Sequence, residues 1–187
     1  MYDTREFKKG LKVELDGAPY SILDFQHISP GKGSAFTRTK LKNLLTGNTT
    51  EKTFKSGEKV PPADVQQREM QFLYADATDF HFMDNTSYEQ MQIGKDVLGD
   101  AVGYLQENIV LLVMLYNGRP IDAELPNFIE AKVVETEPAI RGDTVSGGTK
   151  PAKLETGATV SVPFHIKEGD LIKVDTRNAA YVEKVNR

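Results

Sequence analysis

Ser29-Pro30-Gly31-Lys32-Gly33-Ser34 sets one lysine between two glycines, with a proline on the entry side. The runs that flank it, Tyr20 to Ile28 and Ala35 to Leu44, both read as β-strands. The stretch is therefore expected to be a hairpin tip that carries a single cation into solvent. Gly31 and Gly33 lack a Cβ, so they tolerate positive φ and let another molecule approach the backbone closely. Pro30 stiffens the entry to the loop. Taken alone, Gly-Lys-Gly is an ordinary turn, and the rest of the chain decides its weight.

Outward from the tip, residues 1–63 read as short strands. Leu11 to Leu15 alternates apolar and polar, and Asp16-Gly17 turns it back. Beyond the tip, a period of two puts Phe36, Arg38, Lys40 and Lys42 on one face, and Thr37, Thr39 and Leu41 on the other. Arg38, Lys40 and Lys42 form a basic stripe. It reads either as a solvated sheet face or as a surface that tracks phosphates. Thr46-Gly47-Asn48 and Ser56-Gly57 supply further turns, and five short strands in this length suggest a small SH3-like barrel. Pro61-Pro62 marks the first boundary.

Residues 64–127 contain a hairpin (Met70 to Tyr74, Phe80 to Met83) and an apolar strand from Ile109 to Tyr116. The Asn117-Gly118 turn follows. Apolar spacing predicts one helix over Lys95 to Gln106. This arrangement suits an OB-fold. Pro126 marks the second boundary. In residues 128–187, Phe128 to Glu135, Thr159 to Pro163, Leu171 to Asp175 and Tyr181 to Val185 read as strands, and Pro138 to Lys153 reads as a long loop. The expected fold is all-β: three small β-barrel domains, 1–63, 64–127 and 128–187.

The 187 residues carry a net charge of −4, but the charge is segregated. Lys and Arg stand 11 against 7 acids in 1–63, 3 against 11 in 64–127, and 9 against 9 in 128–187. A basic first third suits phosphate, and an acidic middle suits solvent or a basic protein. With no cysteine, thiolate metal sites, thiol nucleophiles and disulfides are excluded. His27, His81 and His165 fall one in each part, so no metal or other cofactor is expected. Gly31-Lys32-Gly33-Ser34 fails the nucleotide-loop pattern, because glycine separates Lys from Ser and a strand follows. No nucleophile–base pair stands out, so no enzymatic activity is expected. The N-terminus lacks a signal-peptide core and no apolar run spans a membrane, which reads as a cytoplasmic protein. The Gly142 to Ala152 stretch, with three glycines among hydroxyls, is the other unusual loop.

The chain resembles bacterial translation elongation factor P over its full length, in the lysine-tip branch. The resemblance is carried by Asp24 to Phe36, Glu51-Lys-Thr-Phe54, Gly57-Glu-Lys59, Met83-Asp84 before Tyr88-Glu-Gln90, Glu124-Leu-Pro126, Val133 to Pro138, and Gly142-Asp-Thr144 with Gly147 to Ala152. It implies an SH3-like (KOW-like) domain and two OB-folds in an L shape, acting as a monomer between the ribosomal P and E sites. It implies rescue of stalls on consecutive prolines. Lys32, flanked by Pro30, Gly31, Gly33 and Ser34, matches the tip that reaches the peptidyl-transferase centre beside peptidyl-tRNA, usually after a lysine-modifying enzyme has acted. Gly142, Asp143 and Thr144 match the loop that touches the mRNA codon in the E site. Two rivals are a Schiff-base lysine enzyme and a generic OB-fold binder of single-stranded nucleic acid. An exposed tip disfavours the first, and three basic residues in the middle domain disfavour the second.

Overall fold

The computed structural model describes residues 1–139 and 147–186, so Gly142, Asp143 and Thr144 lie outside the described residues. Two compact units emerge: 1–67 with 114–122, and 68–113 with 123–187.

The N-terminal part opens with β1 (Tyr2–Asp3) and a 3-10 turn at Thr4–Glu6. Asp3 caps that turn by accepting from the Arg5 amide, while the Glu6 carboxylate accepts from the Asp3 amide. Next come β2 (Lys12–Leu15), β3 (Ala18–Ile28), β4 (Phe36–Asn43), β5 (Thr49–Lys55) and β6 (Lys59–Val60). β2 to β5 form an antiparallel four-stranded sheet in sequence order, and β6 pairs with β1. The β2–β3 turn has φ of 51° at Asp16 and 76° at Gly17, the two left-handed residues that an Asp-Gly hairpin demands. Phe7, Val13, Ile22, Leu41, Phe54 and Val60 fill the core beneath the sheet, and Phe7 meets Phe54 edge-to-face at 5.5 Å.

The middle sheet contains β7 (Val65–Ala75), β8 (Phe80–Asp84), β9 (Gln90–Ile93), β10 (Val110–Tyr116) and β11 (Arg119–Glu124), in the order β11-β10-β7-β8-β9. Its strand pairing is open rather than closed. The helix expected over Lys95 to Gln106 is only one turn, α1 (Lys95–Leu98), continued by a 3-10 segment at Gly99–Tyr104. Gly99 adopts φ 53° and ψ −130°, which ends the α-helix there.

The C-terminal part is a closed barrel: β12 (Phe128–Thr136), β13 (Thr149–Leu154), β14 (Thr159–Pro163), β15 (Leu171–Asp175) and β16 (Ala180–Lys184), in the order β12-β13-β14-β16-β15. Parallel pairing of Ser161 with Ala180 closes it. Ala131, Val133, Ala152, Val162, Ile172 and Val174 fill its interior, and Tyr104 of the 3-10 segment joins them. β13 corrects the expectation of a loop up to Lys153. Lys150, Ala152 and Leu154 point inward and alternate with exposed Thr149, Pro151 and Lys153. A buried lysine and a proline hide that period from composition.

Candidate functional site: the β3–β4 arm

β3 is eleven residues long and β4 eight, so their hairpin runs well beyond the short β2. Pairing continues from Tyr20↔Asn43 to Ile28↔Phe36, with a bulge at Leu23. β5 flanks β4 out to Phe36↔Lys55. Three strands thus support the tip up to its last pair.

The alternation along β4 is as expected: Thr37, Thr39 and Leu41 are buried while Arg38, Lys40 and Lys42 are exposed. Across the sheet, Lys40 stands between Asp24 and Glu51, so carboxylates flank the middle of this face, while Lys42 at its base stands between Ser21 and Thr49. Asp24 also reaches Lys9 at 3.6 Å. Arg38 stands instead between Gln26 and Thr53, neither charged. Lys55 faces the same side at the last row, with Glu58 turned onto its amide at 2.9 Å. Arg38 and Lys55, toward the tip, therefore have no carboxylate opposite them in the register. On the opposite face the His27 Nδ1 lies 2.8 Å from Thr37 Oγ1, and Phe25 packs edge-to-face on the His27 ring at 5.4 Å.

Ser29 to Ser34 are all exposed, and among the described residues none makes a side-chain hydrogen bond or ion pair. Of the two glycines, only Gly33 uses its freedom, at φ +106°. A Cβ on Gly31 would meet nothing within 4 Å, and one on Gly33 only Pro30 Cγ at 3.9 Å. Lys32 is therefore a free ammonium on a narrow, side-chain-poor tip. Sequence reasoning identified Lys32, Arg38, Lys40 and Lys42 but missed Lys55, which the alternation of Thr49–Lys55 against buried Phe54 would have revealed.

The structure describes the flanks of the second unusual loop. Gly148 lies under the Phe164 ring so tightly that a Cβ would sit 2.1 Å from it. Lys150, 6% exposed, donates to the Glu137 carbonyl at 2.5 Å. Of the other histidines, His81 pairs with Asp76 at 2.6 Å and stacks under Tyr74 at 4.3 Å, while His165 is exposed. His81, with the Thr78 and Asp79 amides, holds the Asp76 carboxyl far below the usual carboxylate range.

Three family models match the chain in order. The "Elongation factor P (EF-P) KOW-like domain" matches 3–60, the "Elongation factor P (EF-P) OB domain" 65–123, and "Elongation factor P, C-terminal" 129–184. An elongation factor P of Natranaerobius thermophilus is 54% identical over 185 residues, covering 99% of this chain and 98% of the relative. One of Moorella thermoacetica is 52% identical over 184 residues, covering 98% and 100%. Among solved structures, eukaryotic translation initiation factor 5A from Methanococcus jannaschii is similar in fold, with TM-score 0.52 and 21% identity over 67% of this chain and 90% of that one. A translation initiation factor eif-5a family protein from Naegleria fowleri has TM-score 0.54 at 17% identity, over 66% and 96%. No helix among the described residues is long and apolar enough to cross a membrane. An all-β chain with a KOW-like domain, OB domains and full-length relatives at about half identity belongs to the elongation factor P family of translation elongation factors.

Proposed function

We propose that this chain acts on the ribosome between the P and E sites and promotes peptide-bond formation at stalls on consecutive prolines, with Lys32 beside the peptidyl-tRNA end. Its three domains are 1–63, 64–127 and 128–187. The supporting observation is the β3–β4 arm: a three-stranded stem, a basic face with carboxylates opposite Lys40 alone, and an unpaired lysine between glycines at the end. Such a tip fits a narrow RNA-lined passage, where a bulkier or acidic loop would be excluded or repelled.

Proline is a poor attacking amine because its ring constrains approach, and a polyproline nascent chain disfavours the reactive geometry. A cation next to the CCA end holds peptidyl-tRNA in position. Ribosomal RNA remains the catalyst, and the factor supplies orientation, an effect that removes up to about 7–11 kcal/mol of barrier in well-oriented systems. A modifying enzyme reaches Lys32 without competition from neighbouring side chains, and an adduct lengthens its reach. Gly142, Asp143 and Thr144 contact the E-site codon. The factor works as a cytoplasmic monomer and catalyses no covalent step itself.

The test is Lys32→Ala in a reconstituted translation system that measures Pro-Pro-Pro synthesis. Stimulation is expected to disappear. Synthesis at the wild-type rate would sink the reading. Intact mass of the Lys32 peptide from the native host reports the modification.

A further inference from the structure

The segment joining the first sheet to the middle sheet is pinned from both sides. On one side, β2 holds it. The Glu14 amide donates to the Pro61 carbonyl at 2.9 Å, the Ala63 amide donates to Lys12 at 3.2 Å, and Val13 bridges Pro62. On the other side, the β10–β11 turn holds it, where the Asn117 amide donates to the Asp64 carbonyl at 3.0 Å. One side-chain bond then links β2 to β10 directly, across 102 positions of sequence: the Tyr116 hydroxyl donates to the Glu14 carboxylate. All of these groups lie in the same compact unit. Asn117 at φ 49° and Gly118 at φ 79° form a tight two-residue turn, which fixes where Tyr116 stands. The Glu14 carboxylate, acting through its bond and its charge together with burial, pushes the Tyr116 phenol above its ordinary range. The phenol therefore stays a donor and the carboxylate an acceptor.

Glu14 stands on the strand next to β3, which runs out to the tip. Two prolines alone stiffen a connection, but residues 61–64 are also hydrogen-bonded to the strand before them and to a turn more than fifty residues later. We propose that Glu14 and Tyr116 are positioning residues: their bond locks the sheet that carries the Lys32 arm onto the β10–β11 hairpin, so that the tip is delivered in one direction. The functional half of this inference rests on the reading of Lys32 above, and the structural half does not. An arm that swivels finds its site less often, yet once seated it works as well. Loss of the bond therefore raises the concentration of factor needed and leaves the saturated rate alone.

The experiment uses the full chain with Tyr116→Phe, Glu14→Leu, both together, and Glu14→Gln, which keeps an acceptor for the phenol. Amide exchange is followed at Glu14, Ala63 and Asn117, with Thr37 and Thr39 in β4 as internal controls. Tyr116→Phe and Glu14→Leu are expected to speed exchange at the first three by about tenfold, as loss of a hydrogen bond to a charged group does. The controls stay unchanged, the double variant is no worse than either single one, and Glu14→Gln stays near wild type. In Pro-Pro-Pro synthesis the half-saturating concentration rises by a similar factor, with the rate at saturation within about twofold. Unchanged exchange at Ala63 and Asn117 overturns the lock. Faster exchange with an unchanged half-saturating concentration overturns its role in delivery, provided Lys32→Ala abolishes stimulation. If Lys32→Ala is itself silent, the tip reading and the delivery role fall together, and exchange alone decides the lock.

Discussion

The Lys32 tip and the β8–β9 turn are both exposed ends of antiparallel hairpins, yet they are held in opposite ways. In the β8–β9 turn, Asp84 is nearly buried. Its carboxylate accepts from the Thr86 amide at 2.7 Å, the Ser87 amide at 3.1 Å and the Arg68 guanidinium at 2.9 Å. The β7–β8 turn uses the same device, with Asp76 accepting from Thr78 and Asp79. The tip has no such acid. It keeps its shape through Pro30, the left-handed Gly33 and the strands behind it. A side chain that caps its own turn is not available to a partner. The tip spends none on itself, and Lys32 stays free.

That contrast breaks most visibly if Lys32→Ala alters stability. The substitution touches no contact, so thermal unfolding is expected to shift by no more than surface changes do, about 0.5 kcal/mol, while stimulation of Pro-Pro-Pro synthesis is lost. Asp84→Ala is expected to do the reverse at its own site, with the Thr86 and Ser87 amides exchanging about tenfold faster. A destabilised Lys32→Ala protein would mean that the tip is tied after all.

The next effect lies in the stem, one row behind the last pair before the tip. Phe54 is 1% exposed, opposes Thr37 in the register and packs on Phe7. Phe54→Ala is expected to cost about 3–5 kcal/mol, read by denaturant unfolding. A cost below about 1 kcal/mol would show that the stem, like the tip, stands without its packing.

Acid separates the two kinds of turn. The Thr86 and Ser87 amides with Arg68 lower the Asp84 carboxyl, and His81 with its neighbouring amides lowers that of Asp76. A lowered carboxyl contributes stability that is complete above its unfolded value, near 3.8, and is lost as pH falls through the folded one. On titration from pH 6 down to about 2, the Thr86 and Ser87 amides are expected to shift in NMR spectra, while Gly31 to Ser34 do not, and Asp76, held below that window, stays ionised. The cap of the first 3-10 turn gives a value to check. Arg5 holds the Asp3 carboxyl down to about 2, and Arg5→Ala is expected to return it toward 3.8.

The same contrast governs what could be read in advance. The tip is written locally: glycines and a proline at one place, strands of period two around it, charges that alternate along β4. Asn117-Gly118 is equally local and forms the expected turn. What depends on distant partners was not legible. β13 carries Lys150 inward and Pro151 outward, so composition reads as loop until the barrel supplies Glu137 as the acceptor. The polar start of β7, from Val65 to Glu69, carries no strand signal of its own until the middle sheet takes it in. The apolar spacing over 95–106 promised a longer helix, yet Gly99 turned it into 3-10, and Tyr104 is buried in the barrel core instead. Tyr116 and Glu14 gave no signal at all, because neither residue is unusual where it stands.

The smallest effect separates the two glycines, which look equivalent in sequence. Gly33 sits at φ +106°, where an L side chain is strained, and its added Cβ would touch only Pro30 at an ordinary 3.9 Å. Gly33→Ala is therefore expected to cost about 1 kcal/mol, and the cost is conformational rather than steric. Gly31 has ordinary φ and open space, so Gly31→Ala is expected to be neutral or slightly stabilising, because it restricts the unfolded chain. The useful measurement is the pair of variants compared in both stability and Pro-Pro-Pro synthesis. If Gly31→Ala keeps its stability but loses stimulation, the missing Cβ matters because something packs against the tip in the working complex. If it keeps both, Gly31 is only a turn residue, and the narrowness of the tip is set by Gly33 alone.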